Sequence, residues 1–218
     1  MKKHKGVLFD LDGTLLDTAN DLGEALNYVL KSKGLKTVDR EIYRPVASDG
    51  SKGLLELGFG DRLCEFDFEQ LRVAFLDYYQ ENIAIHTCLY PGIEDLLSSL
   101  DDLNIPWGIV TNKPEYLAQI LVPQFSQFKQ CKTLIGGDTL PERKPHPAPV
   151  LFAAEKMKCA PTDCIYVGDA PRDIESGNRA NMHTVIAQWG YILNKDECKN
   201  WQADVITLNP LDILATIK

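Results

Sequence analysis

Two aspartates separated by a single residue close the apolar run Gly6-Val7-Leu8-Phe9: Asp10 and Asp12, followed by Gly13-Thr14. An aspartate is almost never fully buried unless it is paired or binds a metal. Alternation along an extended chain would place both carboxylates on one side. There each charge raises the other's pKa unless a cation lies between them. The chemistry on offer is metal-assisted carboxylate catalysis at the carboxyl end of a buried strand. A calcium loop starting at Asp10 fails, because its fifth, sixth and twelfth positions are Thr14, Leu15 and Asp21. A bare Asp-Gly turn accounts for Asp12-Gly13 but leaves Asp10 unexplained.

Three more segments carry reactive side chains. Ile109-Val110 runs into Thr111-Asn112, Lys144 sits in Arg143-Lys144-Pro145-His146-Pro147, and Val167-Gly168 runs into Asp169-Ala170-Pro171-Arg172-Asp173. Each has a bland reading. Asp169 suits a helix N-cap, Asp173 a first helical turn, Thr111 a local turn and Lys144 the solvated surface. His86 and His146 lack metal-ligand spacing.

These segments need a frame that gathers them. From about residue 92 onward, helical and β-rich runs alternate. Leu96, Leu97, Leu100 and Leu103 have helical spacing, as do positions within 147–157 and 174–180, while 107–110, 133–135, 164–167, 184–187 and 205–206 read as short strands. Pro114 is expected in the first turn of a further helix. Such alternation implies a parallel sheet covered on both faces, whose ligands bind outside the carboxyl ends of the strands. Asp10, Thr111 and Asp169 all fall at such ends. Residues 17–86 differ, with no convincing strand. Leu22, Ala25, Leu26, Val29 and Leu30 form one helical stripe, and Leu71, Val73, Ala74, Phe75, Tyr78 and Tyr79 a broader one. Val46 to Gly53 reads as a polar, glycine-containing loop between helices.

The 218 residues suffice for one substantial core and a smaller insert. The apolar fraction of 44% is ordinary for a globular chain. A net charge of −8 without a basic block argues against a nucleic-acid footprint, and an anionic small substrate stays compatible with a local cation. Lys2, Lys3 and Lys5 resemble a signal n-region, but the apolar run after them is far too short. No stretch approaches a membrane span. The six cysteines include no Cys-x-x-Cys and read as reduced thiols of a cytoplasmic protein. Neither a P-loop nor a Gly-x-Gly-x-x-Gly fingerprint is present.

Taken in order, the four segments resemble motifs I to IV of the haloacid dehalogenase-like (HAD) hydrolases. The resemblance implies a Rossmann-like, doubly wound α/β core over residues 1–16 and 87–218, with a helical C1-type cap over 17–86. It further implies Asp10 as nucleophile, Asp12 as general acid and base, and Lys144 as the neutralising charge. Thr111 and Asn112 would donate to the phosphoryl group. Mg²⁺ would lie on Asp10, the main-chain carbonyl of Asp12 and Asp169, with Asp173 close by. Asp12 speaks for phosphate-ester or phosphoryl-transfer chemistry, since the family's dehalogenases lack that acid. Ala170 stands where many relatives have Ser or Thr. Ser48, Asp49 and Lys52, in the 46–53 stretch, are the expected substrate contacts of the cap.

Gly136-Gly137-Asp138 through Pro147 is similar to bacterial phosphoglycolate phosphatases. Gly190-Tyr191-Ile192 and Asn200-Trp201-Gln202-Ala203-Asp204 lean toward the N-acetylmuramic acid 6-phosphate phosphatases. A small phosphorylated, anionic substrate is implied, with the protein a monomer or homodimer. A phosphomutase of the β-phosphoglucomutase type and a nucleotidase remain the alternatives.

Overall fold

The computed structural model describes residues 4–194 and 196–217; Lys2 and Lys3 lie outside them. Six strands form one parallel sheet: β1 (Gly6–Phe9), β4 (Trp107–Val110), β5 (Leu134–Ile135), β6 (Cys164–Gly168), β7 (His183–Ala187) and β8 (Val205–Thr207), in the order β5-β4-β1-β6-β7-β8. Every residue of β1, β4 and β6 is buried, as near-continuous apolar strands covered on both faces must be. Phe9 is level with Ile109 on one side and Val167 on the other. That register brings the residues following three neighbouring strands to one edge, and the order reverses at β1, where open α/β sheets bind ligands.

Helices α5 (Ile93–Asp102), α6 (Glu115–Leu121), α7 (Ala148–Lys156), α8 (Pro171–Arg179) and α9 (Leu214–Ile217) accompany the sheet. In α5 the spacing works as expected, with Ile93, Leu96, Leu97 and Leu100 buried. Pro114 lies just before α6 rather than in its first turn. The first N–H of α6, that of Glu115, donates to the Asp138 carboxylate at 2.7 Å, so the helix end is satisfied from a distant loop. Leu8, Val110, Val150, Ala153, Cys164 and Tyr166 belong to one buried apolar cluster between sheet and helix.

The chain divides into two compact units, Met1–Leu16 with Leu89–Lys218, and Asp17–Cys88. It passes between them at the short strands β2 (Leu16–Asp17) and β3 (Cys88–Leu89), which pair with each other. The second unit consists of helices α1 (Ala19–Ser32), α2 (Arg40–Tyr43), α3 (Gly50–Phe59) and α4 (Phe68–Glu81), with 3₁₀ turns at Arg44–Asp49 and Gly60–Glu65. The broad stripe on α4 narrows to Leu71, Phe75 and Tyr79, one residue per turn, and Val73 faces solvent. The expected loop over 46–53 is instead helical. Pro45 opens the 3₁₀ turn, and Gly50, at φ +62°, redirects the chain into α3.

Asp21 ties this unit together. Its buried carboxylate accepts from the His86 N–H at 2.9 Å, the Thr87 N–H at 2.9 Å and the Thr87 hydroxyl at 2.6 Å. Removing it strands two main-chain donors. Asp21→Ala is expected to cost about 2–4 kcal/mol, read as a lower urea midpoint at an unchanged slope.

Candidate active site

Extended geometry ends at Phe9, so Asp10 and Asp12 are placed by a loop rather than by strand alternation. The Asp10 N–H still donates to the Val167 carbonyl at 2.9 Å, as if the strand ran one residue further. The Leu11 carbonyl then gathers the N–H groups of Thr14, Leu15 and Leu16, and Gly13 turns at φ +92°. A Cβ on Gly13 would lie 2.2 Å from an Asp169 carboxylate oxygen, so both dihedral and space require glycine there.

Asp10, Asp169 and Asp173 converge at this edge, each buried, with one oxygen apiece lying within 4.8 Å of the others. Asp169 follows β6 directly and is not the cap of α8; that position is Ala170. Its carboxylate accepts from the Tyr191 N–H at 2.9 Å and from the Thr14 hydroxyl at 3.3 Å. Gly190 permits that approach, since a Cβ there would sit 2.4 Å from the Cβ of Asp169. Asp173 lies in the first turn of α8 and accepts the Ala170 N–H at 3.0 Å. Alanine has no oxygen to return the bond, so half of a capping box remains.

Lys144 reaches the same point with its side chain 1% exposed. Its three ammonium protons have three partners: Asp10 Oδ1 at 2.8 Å, Asp173 Oδ1 at 2.8 Å and the Val110 carbonyl at 2.9 Å. Its main chain is clasped by Asn112, whose side-chain amide donates to the Lys144 carbonyl at 2.9 Å and accepts the Lys144 N–H at 3.1 Å. Asn112 was expected to donate to a phosphoryl group. Its side chain is instead used to position Lys144, and its own N–H is the donor left for such a role. Thr111 is buried and accepts the Lys113 N–H at 3.1 Å through its hydroxyl; the hydroxyl proton is still its to donate.

Asp12 stands apart from the carboxylate group. Its side chain pairs with Lys113 at 3.1 Å, and its main-chain carbonyl is the atom assigned above to a metal. Sequence reading passed over Lys113. The available signal was a lysine immediately after a polar strand end, at the edge where α/β sheets bind ligands. Tyr166 was missed because a tyrosine inside an apolar strand reads as core. Its buried hydroxyl lies 3.0 Å from the Val110 carbonyl and 3.3 Å from Asp173 Oδ1. Ser48 and Asp49 end the 3₁₀ turn and Lys52 lies in the first turn of α3, where it pairs with Glu56 at 3.8 Å. All three belong to the helical unit.

Burial pushes Asp10 up to about 6, against the opposing pull of Lys144. Burial, then the charges of Asp10 and Asp173, push Asp169 up to about 7. Like charges in low dielectric do this unless a cation compensates them. An all-oxygen set of buried carboxylates fits a hard divalent ion, and the Asp10–Asp169–Asp173 cluster fits a metal site.

The haloacid dehalogenase-like hydrolase family model matches residues 7–187, and the chain belongs to that family. It is 45% identical over 210 residues to a phosphoglycolate phosphatase of Xanthomonas campestris pv. campestris, spanning 96% of this chain and 95% of the relative. It is 37% identical over 213 residues to an N-acetylmuramic acid 6-phosphate phosphatase of Pseudomonas putida, spanning 98% and 96%. The crystal structure of a predicted phosphoglycolate phosphatase from Haemophilus somnus superposes with a TM-score of 0.89, at 28% identity and full coverage of both chains.

Raised carboxylate pKa values mean that the folded metal-free protein holds more protons than the unfolded chain. On these groups its stability therefore falls as pH rises from about 4 to about 7. Asp169→Asn is expected to raise the metal-free Tm at pH 8 by roughly 2–4 °C, and to abolish the further rise that a divalent ion gives wild type. Scanning calorimetry with and without metal measures both. Lys144→Met leaves Asp10 and Asp173 buried without that charge and should cost about 3–5 kcal/mol in urea unfolding.

Proposed function

We propose that this protein is a Mg²⁺-dependent phosphomonoesterase that hydrolyses a small phosphorylated anionic metabolite through an aspartyl-phosphate on Asp10. 2-Phosphoglycolate and N-acetylmuramic acid 6-phosphate are the substrates of first choice, following the names of its relatives. One observation carries the reading. A buried aspartate at a strand end is held by a buried lysine beside two further carboxylates, with a second acid two residues on.

Asp10, oriented by Lys144, attacks phosphorus, and the P–O bond to the leaving group breaks. Asp12 gives its proton to the departing oxygen. A water then attacks phosphorus, Asp12 takes up its proton, and the bond from Asp10 to phosphorus breaks, releasing inorganic phosphate. Lys144 offsets negative charge on Asp10 and on the transferring group as a point charge, while the Thr111 hydroxyl and the Asn112 N–H supply donors to the phosphoryl oxygens. Asp10, Asp169 and the Asp12 carbonyl would hold Mg²⁺, which would supply charge neutralisation to the phosphoryl group. Asp173 also holds Lys144, at 2.8 Å. Ser48, Asp49 and Lys52 are retained as proposed substrate contacts of the helical unit.

The test is phosphate release from a panel of 2-phosphoglycolate, N-acetylmuramic acid 6-phosphate, sugar phosphates and nucleoside monophosphates, with Mg²⁺ and with EDTA. Turnover should need the metal, and Asp10→Asn should lower kcat by on the order of 10³-fold or more while the variant still folds. A folded wild type that transfers phosphate between hydroxyls without freeing it would make the protein a mutase instead.

A further inference from the structure

Lys113 and Lys144 are the two lysines buried among the described residues, and a buried lysine needs a reason. Lys144 has one, in the nucleophile. Lys113 is held at both ends of its peptide, with its N–H on the Thr111 hydroxyl at 3.1 Å and its carbonyl accepting the Gly137 N–H at 2.8 Å. Its side chain is 5% exposed, and its ammonium lies 3.1 Å from Asp12 Oδ1.

Resting on the proposed function, we infer that Lys113 recognises a carboxylate carried by the leaving group close to the ester oxygen. Asp12 serves that oxygen, so a cation beside Asp12 stands next to the first atoms beyond it. Lys144 is spent on Asp10, Asp173 and the Val110 carbonyl, and Arg172, whose charge also acts on Asp10 and Asp169, stands in the first turn of α8. A substrate bringing a carboxylate as well as a phosphate therefore meets its second cation at Lys113. An ammonium is a compact charge with rotatable donors on a flexible stem, and it passes readily from one carboxylate to another. The class selected is a phosphate monoester with the carboxylate one methylene from the ester oxygen, rather than one whose carboxylate lies across a sugar ring.

The experiment compares kcat/KM for 2-phosphoglycolate and ethyl phosphate, which differ by that carboxylate, in wild type, Lys113→Met and Lys113→Arg, all with Mg²⁺. Lys113→Met should lose at least about tenfold more on 2-phosphoglycolate than on ethyl phosphate, and Lys113→Arg should recover part of the difference. Equal losses on both esters overturn the inference and reduce Lys113 to a partner of Asp12. A measurement on wild type alone guards against a variant that fails to fold: glycolate should inhibit competitively where ethanol at the same concentration does not. Glycolate no better than ethanol overturns the inference. Metal-dependent release from ethyl phosphate by wild type supports the phosphatase reading whatever Lys113 does, whereas no release from either ester overturns both.

Discussion

Carboxylates buried at one edge of a sheet repel each other, and the sheet unit is organised around that repulsion. Asp10, Asp169 and Asp173 are all buried within reach of one another, and water cannot screen them there. A single ammonium, that of Lys144, touches two of them and a strand carbonyl. The third, Asp169, accepts from the Tyr191 N–H and the Thr14 hydroxyl, and burial, then the charges of Asp10 and Asp173, push it up to about 7. Carboxylates buried together in this way cost stability, as expected of a site built for function rather than for folding.

Holding that arrangement requires long-range clasps rather than local propensity. Lys144 comes from a loop far from any strand of its own, and Asn112 grips its peptide on both sides. The loop after β1 folds back on the Leu11 carbonyl. Glycine at positions 13 and 190 lets two main-chain segments close on Asp169. None of these devices adds charge to the edge. Lys144 and Lys113 are set on the two acids that follow β1, and the charge of Arg172 also acts on Asp10 and Asp169.

Much of this was legible in the chain. The buried strand ending in Asp10, the hydroxyl residue after β4 and the paired acids after β6 are local patterns, and each stands at the strand end where alternation of strand and helix places it. Less legible was what each polar side chain touches. The family resemblance implies Asn112 as a phosphoryl donor and is silent on its side chain, whose partner is 32 residues away in sequence. The glycines of stretch 46–53 suggest a loop, whereas Gly50 only joins two helical segments. The stripe on α4 was read too wide, because an exposed valine at position 73 carries the same hydropathy as a buried one.

The sequence by itself determined the order of elements, the positions of the reactive carboxylates and the lysine that answers them, since these follow from periodicity and from the rarity of buried charge. Only the tertiary structure decided that Lys144 is shared between Asp10 and Asp173, that Tyr166 points its hydroxyl at the same place, and that Lys113 pairs with Asp12. Those are distances between residues from 7 to 134 positions apart. Strand register and loop closure set such distances, and nothing local in the chain encodes them.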